Sequence, residues 1–223
     1  LYLGHDMARY QTPAGPEAEF EPGSHKRVLR NLLGITSKVV MDRVEAEALV
    51  ATSTYYYQHV LEGTTRIDAA LIRRMHRDWL GDIYAWAGEY RTVEVSKDGF
   101  YWPPAYLISD HMEKFSRNTL KELTPCRPGE IIDVCRSIAI VHAELLLIHP
   151  FREGNGRLAR WIADVMALQA GYAMPSYRFQ GRGARAARAQ YLVAVTQGYY
   201  RNYDLLSRFF EDAIRRGEMD SGA

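Results

Sequence analysis

Apolar residues recur at helical spacing through most of the chain. In HKRVLRNLLG, Val28, Leu29, Leu32 and Leu33 share one face and Gly34 stands where a C-cap belongs, so a helix is predicted there. SKVVMDRVEAEALVATSTYYYQHVLEG reads as a long helix ending at Gly63, and RIDAALIRRMHRDWLGDIYAWAG as one or two more. YRTVEVSKDGFYW breaks the pattern. It alternates β-branched residues, offers an Asp98-Gly99 turn and ends in aromatics, which predicts a short β-hairpin closed by Pro103-Pro104. Helical spacing resumes through AYLISDHMEKFSRNTLKEL. Pro125 and Pro128 frame a break, and the strongly apolar IIDVCRSIAIVHAELLLI follows as a buried helix. GRLARWIADVMALQAG is amphipathic and stops at Gly171, and Arg185 to Arg216 again reads as helix.

These elements describe an all-α fold with one hairpin: a single domain over 25–216, an irregular N-terminal arm over 1–24 and a C-terminal tail over 217–223. The arm is rich in Pro, Gly and Glu, as a segment laid on a domain surface would be. Met7 suits a natural start, so residues 1–6 are compatible with a tag remnant. The 223 residues suffice for a sizeable core. With 47% hydrophobic and 25% charged residues and a net charge of +1, nothing calls for a nucleic-acid or membrane surface. No apolar run reaches membrane-spanning length and no signal-peptide core is visible. Two cysteines, Cys126 and Cys135, lie outside any CxxC, which fits a reducing cytoplasm.

The chemistry concentrates in HPFREGNGRLAR, His149 to Arg160. Pro150 ends the apolar helix. Gly154 and Gly156 permit close backbone approach, and a helix restarts beside them, so 153–157 forms an amide-lined anion nest at a helix N-terminus. Arg157 and Arg160 share one face of that first turn. The helix dipole disfavours cations there, and a bound anion would explain them. Glu153 beside such a nest is placed to hold Mg²⁺ against phosphates, and His149 has the chemistry of a general base near neutral pH. Taken singly, each feature is more often a turn, a cap or a solvated face; their conjunction within twelve residues points to a phosphate-handling site.

That stretch resembles the signature of the Fic family, H-P-F-x-[D/E]-G-N-G-R-x-x-R, at every specified position. Ala87-Gly88-Glu89-Tyr90-Arg91 also resembles the family's approach to its hairpin, and PGSHKRVLRNLLGI with MDRVEAEAL is similar to compact bacterial cell-filamentation Fic toxins. The likeness runs over roughly residues 20–215. It implies a protein adenylyltransferase that moves AMP from ATP to a target hydroxyl, with Mg²⁺. By position it implies that His149 is the base and that Glu153 holds the metal. Gly154, Asn155 and Gly156 would cradle the phosphates, Arg157 would meet the β phosphate, Arg160 the γ phosphate, and Tyr191 (with Tyr199) would frame the adenine. Val95, Ser96, Lys97, Asp98 and Gly99 would belong to a flap that pairs with the target's main chain. Phe151 would anchor the loop in the core.

Other readings stay open. The resemblance covers transfer of UMP, phosphocholine or phosphate, although the related kinases lack the second glycine that Gly156 supplies here. A non-catalytic binding module is the alternative of another class. A zinc site on His142 and His149 lacks a third ligand nearby. Thr54 to His59 resembles a regulatory helix but carries Gln58 where relatives carry glutamate, and Ser207 to Asp212, with Glu211, reads as an ordinary closing helix. The resemblance therefore implies a small antitoxin protein that brings its own glutamate to Arg160. It also suggests type II topoisomerase subunits as targets. Arg178, Arg182, Arg185 and Arg188 read as a solvated face, with target docking as the minor alternative.

Overall fold

The computed structural model describes residues 16–59, 64–97 and 99–222. Gly63, Asp98 and most of the N-terminal arm therefore lie outside the described residues. Helices α1 (Lys38–His59) and α2 (Ala69–Leu80) are followed by the hairpin β1 (Ser96–Lys97) and β2 (Phe100–Tyr101). Helix α3 (Ile108–Phe115) passes through a π-helical turn, Ser116–Leu120, into the short α4 (Lys121–Leu123). Then come α5 (Ile131–Ile148), α6 (Asn155–Gln169), α7 (Ala184–Tyr199) and α8 (Asp204–Ser221). The fold is helical with one two-stranded antiparallel sheet, as the spacing predicts.

Helix α5 is the axis. It is apolar on most faces because α3, α6, α7 and α8 all pack on it. Ile138, Ala139 and Cys135 are fully buried on it, and they meet Leu158 and Met166 of α6 and Leu206, Phe210 and Ile214 of α8 in one core. Burying each large aliphatic or aromatic side chain stabilises by about 1.5–3 kcal/mol. Helix α2 starts at Asp68, whose carboxylate accepts from the Leu71 amide at 2.8 Å, an N-cap that precedes its buried stripe of Ile72, Met75, Trp79 and Leu80.

Two expectations need correction. No helix forms over 25–34. Glu21 N donates to Val28 O and Arg30 N to Glu19 O, each at 2.9 Å, so this segment pairs with the end of the arm. Asn31 then turns the chain: its Oδ1 accepts from Leu33 N and Ile35 N at 3.2 and 2.9 Å, and its Nδ2 donates to Leu29 O and Ile35 O. An Asn side chain that satisfies the backbone this way competes with helix formation. Val28 and Leu29 are buried, but Leu32 and Leu33 are 60% and 50% exposed, so the apolar spacing does not mark a buried face. The tail over 217–223 is also no separate element, since α8 runs on to Ser221. Gly217 permits this: a Cβ there would stand 2.0 Å from Met174 O, which crosses close over the helix.

The hairpin pairs Ser96 with Tyr101 and Lys97 with Phe100, and Gly99 stands at φ +81°. Arg91 fastens it to the bundle. Its side chain, in a residue 2% exposed, donates to His149 O (2.8 Å), Val93 O (2.9 Å) and Pro103 O (2.6 Å), while its amide donates to Pro150 O at 2.8 Å. Burial lowers the guanidinium pKa only to about 10, so it stays charged at neutral pH. Replacing Arg91 by Met keeps the amide bond to Pro150 O but strips His149 O, Val93 O and Pro103 O of this donor, and should destabilise the fold by about 3 kcal/mol. Urea denaturation checks this against Lys97→Met, an exposed change expected to stay within about 0.5 kcal/mol.

Candidate active site

His149 ends α5 in a left-handed conformation, φ +53°, with its amide still bonded to Leu145 O. This turns the imidazole back over the helix terminus. Its Nδ1 lies 3.2 Å from Leu146 O. A carbonyl only accepts, so this contact favours a proton on Nδ1. The residue is 5% exposed, with the Trp102 ring 4.2 Å away, centroid to centroid. Leu146 O also receives Trp102 Nε1 at 2.9 Å and lies 3.5 Å from Tyr199 OH. Carbonyls left over at a helix end thus fix the base, the hairpin and α7 together.

The loop that follows is held from inside. Phe151 is fully buried and stacks on His76 at 3.9 Å. Asn155 closes the loop: Oδ1 accepts from Phe151 N at 3.0 Å and Nδ2 donates to Phe151 O at 2.7 Å. Its side chain is used by the loop, so Asn155 faces a ligand with its backbone amide. Gly154 sits at φ +85°, and a Cβ there would meet the Trp79 ring at 2.9 Å, which explains the glycine. Helix α6 begins at Asn155, so the amides of Asn155 and Gly156 face outward from its N-terminus. Arg152, absent from the predicted set, is buried and donates from Nε to Glu17 O at 2.9 Å, while the Glu17 carboxylate accepts from Thr92 N and Oγ1. The end of the arm thus laces the loop to the base of the hairpin.

Glu153 Oε1 accepts from Gly154 N at 3.0 Å and lies 3.6 Å from Arg157 Nη2. Arg157 stacks over Trp79, guanidinium carbon 4.7 Å from the ring centroid, and Arg160 packs against the adjoining Phe179 and Tyr191 rings at 5.4 and 5.9 Å. Glu153 and Arg157 are thus brought together, while Arg160 faces the aromatic residues of α7 and the segment before it. Tyr191 stands beside Arg160 and donates its hydroxyl to His142 Nε2 at 2.7 Å, since His142 Nδ1 gives its proton to Ala159 O. Both ring nitrogens of His142 are therefore engaged in the core; among the described residues no group of three potential ligands gathers for a metal. Tyr199 stacks on Phe100 of the hairpin at 5.4 Å. In the flap, Val95 and Ser96 are buried, and Val95 O accepts from Trp102 N at 3.2 Å. Lys97 and Gly99 are exposed. Gln58 and Thr54 are exposed on α1, and Glu211 pairs with Arg215 within α8.

Besides Arg152 and Glu17, sequence reasoning missed other contributors. Glu45 of α1 reaches Arg157, His76 bridges Glu153 O and Gly88 N, and Trp102 packs on the base. Glu45 left one sign: it lies in register with Met41 and Tyr56 on the buried side of α1.

Residues 66–167 match the model of the Fic/DOC family. The chain is 28% identical over 201 residues to protein adenylyltransferase VbhT of Bartonella schoenbuchensis, covering 90% of this chain and 39% of that protein. It is 27% identical to protein adenylyltransferase Fic of Nematostella vectensis, covering 70% of this chain and 36% of that protein. The chain thus spans under two fifths of these relatives. Among solved structures, BepC from Bartonella tribocorum with bound AMPPNP superposes with a TM-score of 0.67 at 20% identity, over 83% of this chain and 91% of that one. The N-terminal Fic domain of an effector from Bartonella sp. AR 15-3 gives 0.72 at 19%, over 90% and 92%.

Burial holds His76 neutral down to about 4 and His142 down to about 3, against an ordinary 6.5. Below pH 6.5 the unfolded chain binds these two protons and the folded chain does not, so stability falls as pH drops toward 4. Asp164 opposes them: burial raises its carboxyl to about 7 from 3.8, so its contribution is complete below 3.8 and is lost as pH rises to 7. Two protons against one leave a net loss of about 1.4 kcal/mol per pH unit between 6.5 and 4 from these three groups. Thermal melts across that range should show a falling midpoint, and Asp164→Asn should steepen the fall.

Proposed function

The chain carries a Fic/DOC-family domain over residues 66–167, and on that premise we propose that it transfers AMP from ATP to a hydroxyl side chain of a target protein. The observation that carries this reading is the contact of His149 Nδ1 with Leu146 O at 3.2 Å, at the end of the helix that leads into the loop. With Nδ1 donating to Leu146 O, Nε2 can take the proton of a target hydroxyl beside the amides of Asn155 and Gly156. The hydroxyl oxygen then bonds to the α phosphorus, the bond to the oxygen bridging α and β breaks, and pyrophosphate leaves with its electron pair. Arg157, Arg160 and the helix N-terminus offset the charge that gathers on the leaving group. The names of the curated relatives and the AMPPNP held by BepC support the same reading.

The protein donor set for Mg²⁺ is one carboxylate, Glu153, already oriented by Gly154 N. That suits an ion which takes its remaining ligands from phosphates and water. Bound there, Mg²⁺ would neutralise phosphate charge, and Glu153 would orient it. Across the site the hairpin offers strand pairing to an extended segment of the target. The reading extends to control by a separate small protein, an antitoxin that brings a glutamate to Arg160. It is supported by the solvent-facing position of Gln58 and by Glu211 being engaged with Arg215.

With cell lysate, ATP labelled at the α phosphate should label a protein, and ATP labelled at the γ phosphate should not. Label from the γ position would mean kinase chemistry, and none from either would favour a binding module. His149→Ala should slow transfer roughly 100- to 10,000-fold while nucleotide still binds. For the control mechanism, the purified chain should be active alone and Glu211→Gly should leave its rate unchanged; an inert chain switched on by that change would place the inhibitor inside it.

A further inference from the structure

Helix α1 sends one acidic side chain into the motif. Glu45 is 4% exposed, and every acceptor it offers is engaged. Oε2 lies 2.6 Å from Arg157 Nη1, Oε1 accepts from Tyr84 OH at 2.6 Å, and the backbone carbonyl accepts from Trp79 Nε1 at 2.9 Å. Trp79 is also the ring on which the Arg157 guanidinium stacks. We propose that Glu45 is a positioning residue: through Arg157 it sets the site's affinity for the second phosphate of the nucleotide. The inference rests on the nucleotide-transfer reading above.

A buried carboxylate is tolerated when it is paired and its remaining lone pairs are satisfied, which describes Glu45. So saturated a group is a fixed post and has no slack to swing. It takes one of the five guanidinium donors and leaves the others for a ligand. Arginine carries large rotamer entropy, and fixing it beforehand lowers what binding must spend. A second consequence concerns Glu153, whose Oε1 is 3.6 Å from Arg157 Nη2. With Glu45 gone, Arg157 has that carboxylate as its nearest anion, and collapse onto it would take both the arginine from the phosphate and the carboxylate from the cation. Glu45 also partly neutralises Arg157, an effect of opposite sign. One bond at one edge leaves the guanidinium charged, so the orienting effect dominates.

The test is calorimetric titration of ADP and of AMP, with Mg²⁺ in excess, into the parent chain, Glu45→Ala, Glu45→Gln, Arg157→Ala and the Glu45→Ala/Arg157→Ala double variant. Thermal melts accompany each. Glu45→Ala should weaken ADP roughly tenfold and leave AMP, which lacks the second phosphate, nearly unchanged. Glu45→Gln, which keeps an acceptor for Arg157, should recover part of the loss. In the Arg157→Ala background Glu45→Ala should cost nothing more. Tighter or unchanged ADP binding in Glu45→Ala, equal losses for ADP and AMP, or an additive loss in the double variant would each overturn the inference. If Glu45→Ala does not fold, Glu45→Gln carries the same comparison with a smaller loss confined to ADP. A parent chain that binds neither nucleotide sinks the functional reading and this inference with it. A parent that binds ADP no better than Glu45→Ala does sinks the inference alone.

Discussion

The site hangs on one buried cation. Arg91 donates to His149 O, Val93 O and Pro103 O, and its own amide donates to Pro150 O. One guanidinium therefore fixes the backbone of the base, the chain entering the hairpin and the chain leaving it. A fork of donors can do this because it is planar and always charged, so the three directions are set at once. The position of the base relative to the hairpin follows from this one side chain, and a strand-pairing target would be brought to His149 by the same geometry.

The second constraint is the way helix ends are used. Helix α5 must leave carbonyls without intrahelical partners, and α6 must leave amides. The chain places the two ends next to each other across five residues. Leu146 O faces His149 Nδ1, which favours a proton there, and the Asn155 and Gly156 amides face the anion side. The proposed base and anion nest would thus come from the ordinary deficits of two helix termini. His76 and Phe151 fill the space beneath, and neutral His76 can bridge Gly88 N and Glu153 O only while it stays unprotonated.

Around Arg157 and Arg160 the chain meets charge with aromatic faces. Trp79 lies under Arg157, and the paired rings of Phe179 and Tyr191 face Arg160. Stacked guanidinium groups are weakly hydrated and keep their edges for bidentate bonds. The two arginines nevertheless differ: Arg157 is tied to buried Glu45, while Arg160 rests against Tyr191, which is itself tied through His142 to α5 and α6.

Sequence alone determined the helical class and the hairpin, and it singled out the candidate site from His149 to Arg160. Each of these is local: periodicity reports a buried face, Asp98-Gly99 reports a turn, and twelve consecutive residues carry base, carboxylate, nest and arginines. It misjudged 25–34, where Asn31 bonds the backbone out of helix although the apolar spacing looks right. The side chain of Asn155 closes the loop, which leaves its backbone amide for the cradle that the sequence implies. Glu45, Arg91 and Glu17 were silent as site residues, because what each does depends on partners far along the chain. A carboxylate in α1 looks like any solvated glutamate until α2 and α6 close over it. Only tertiary packing removes water from Glu45 and Arg157 together, and with water gone the cheapest state is the one in which they hold each other.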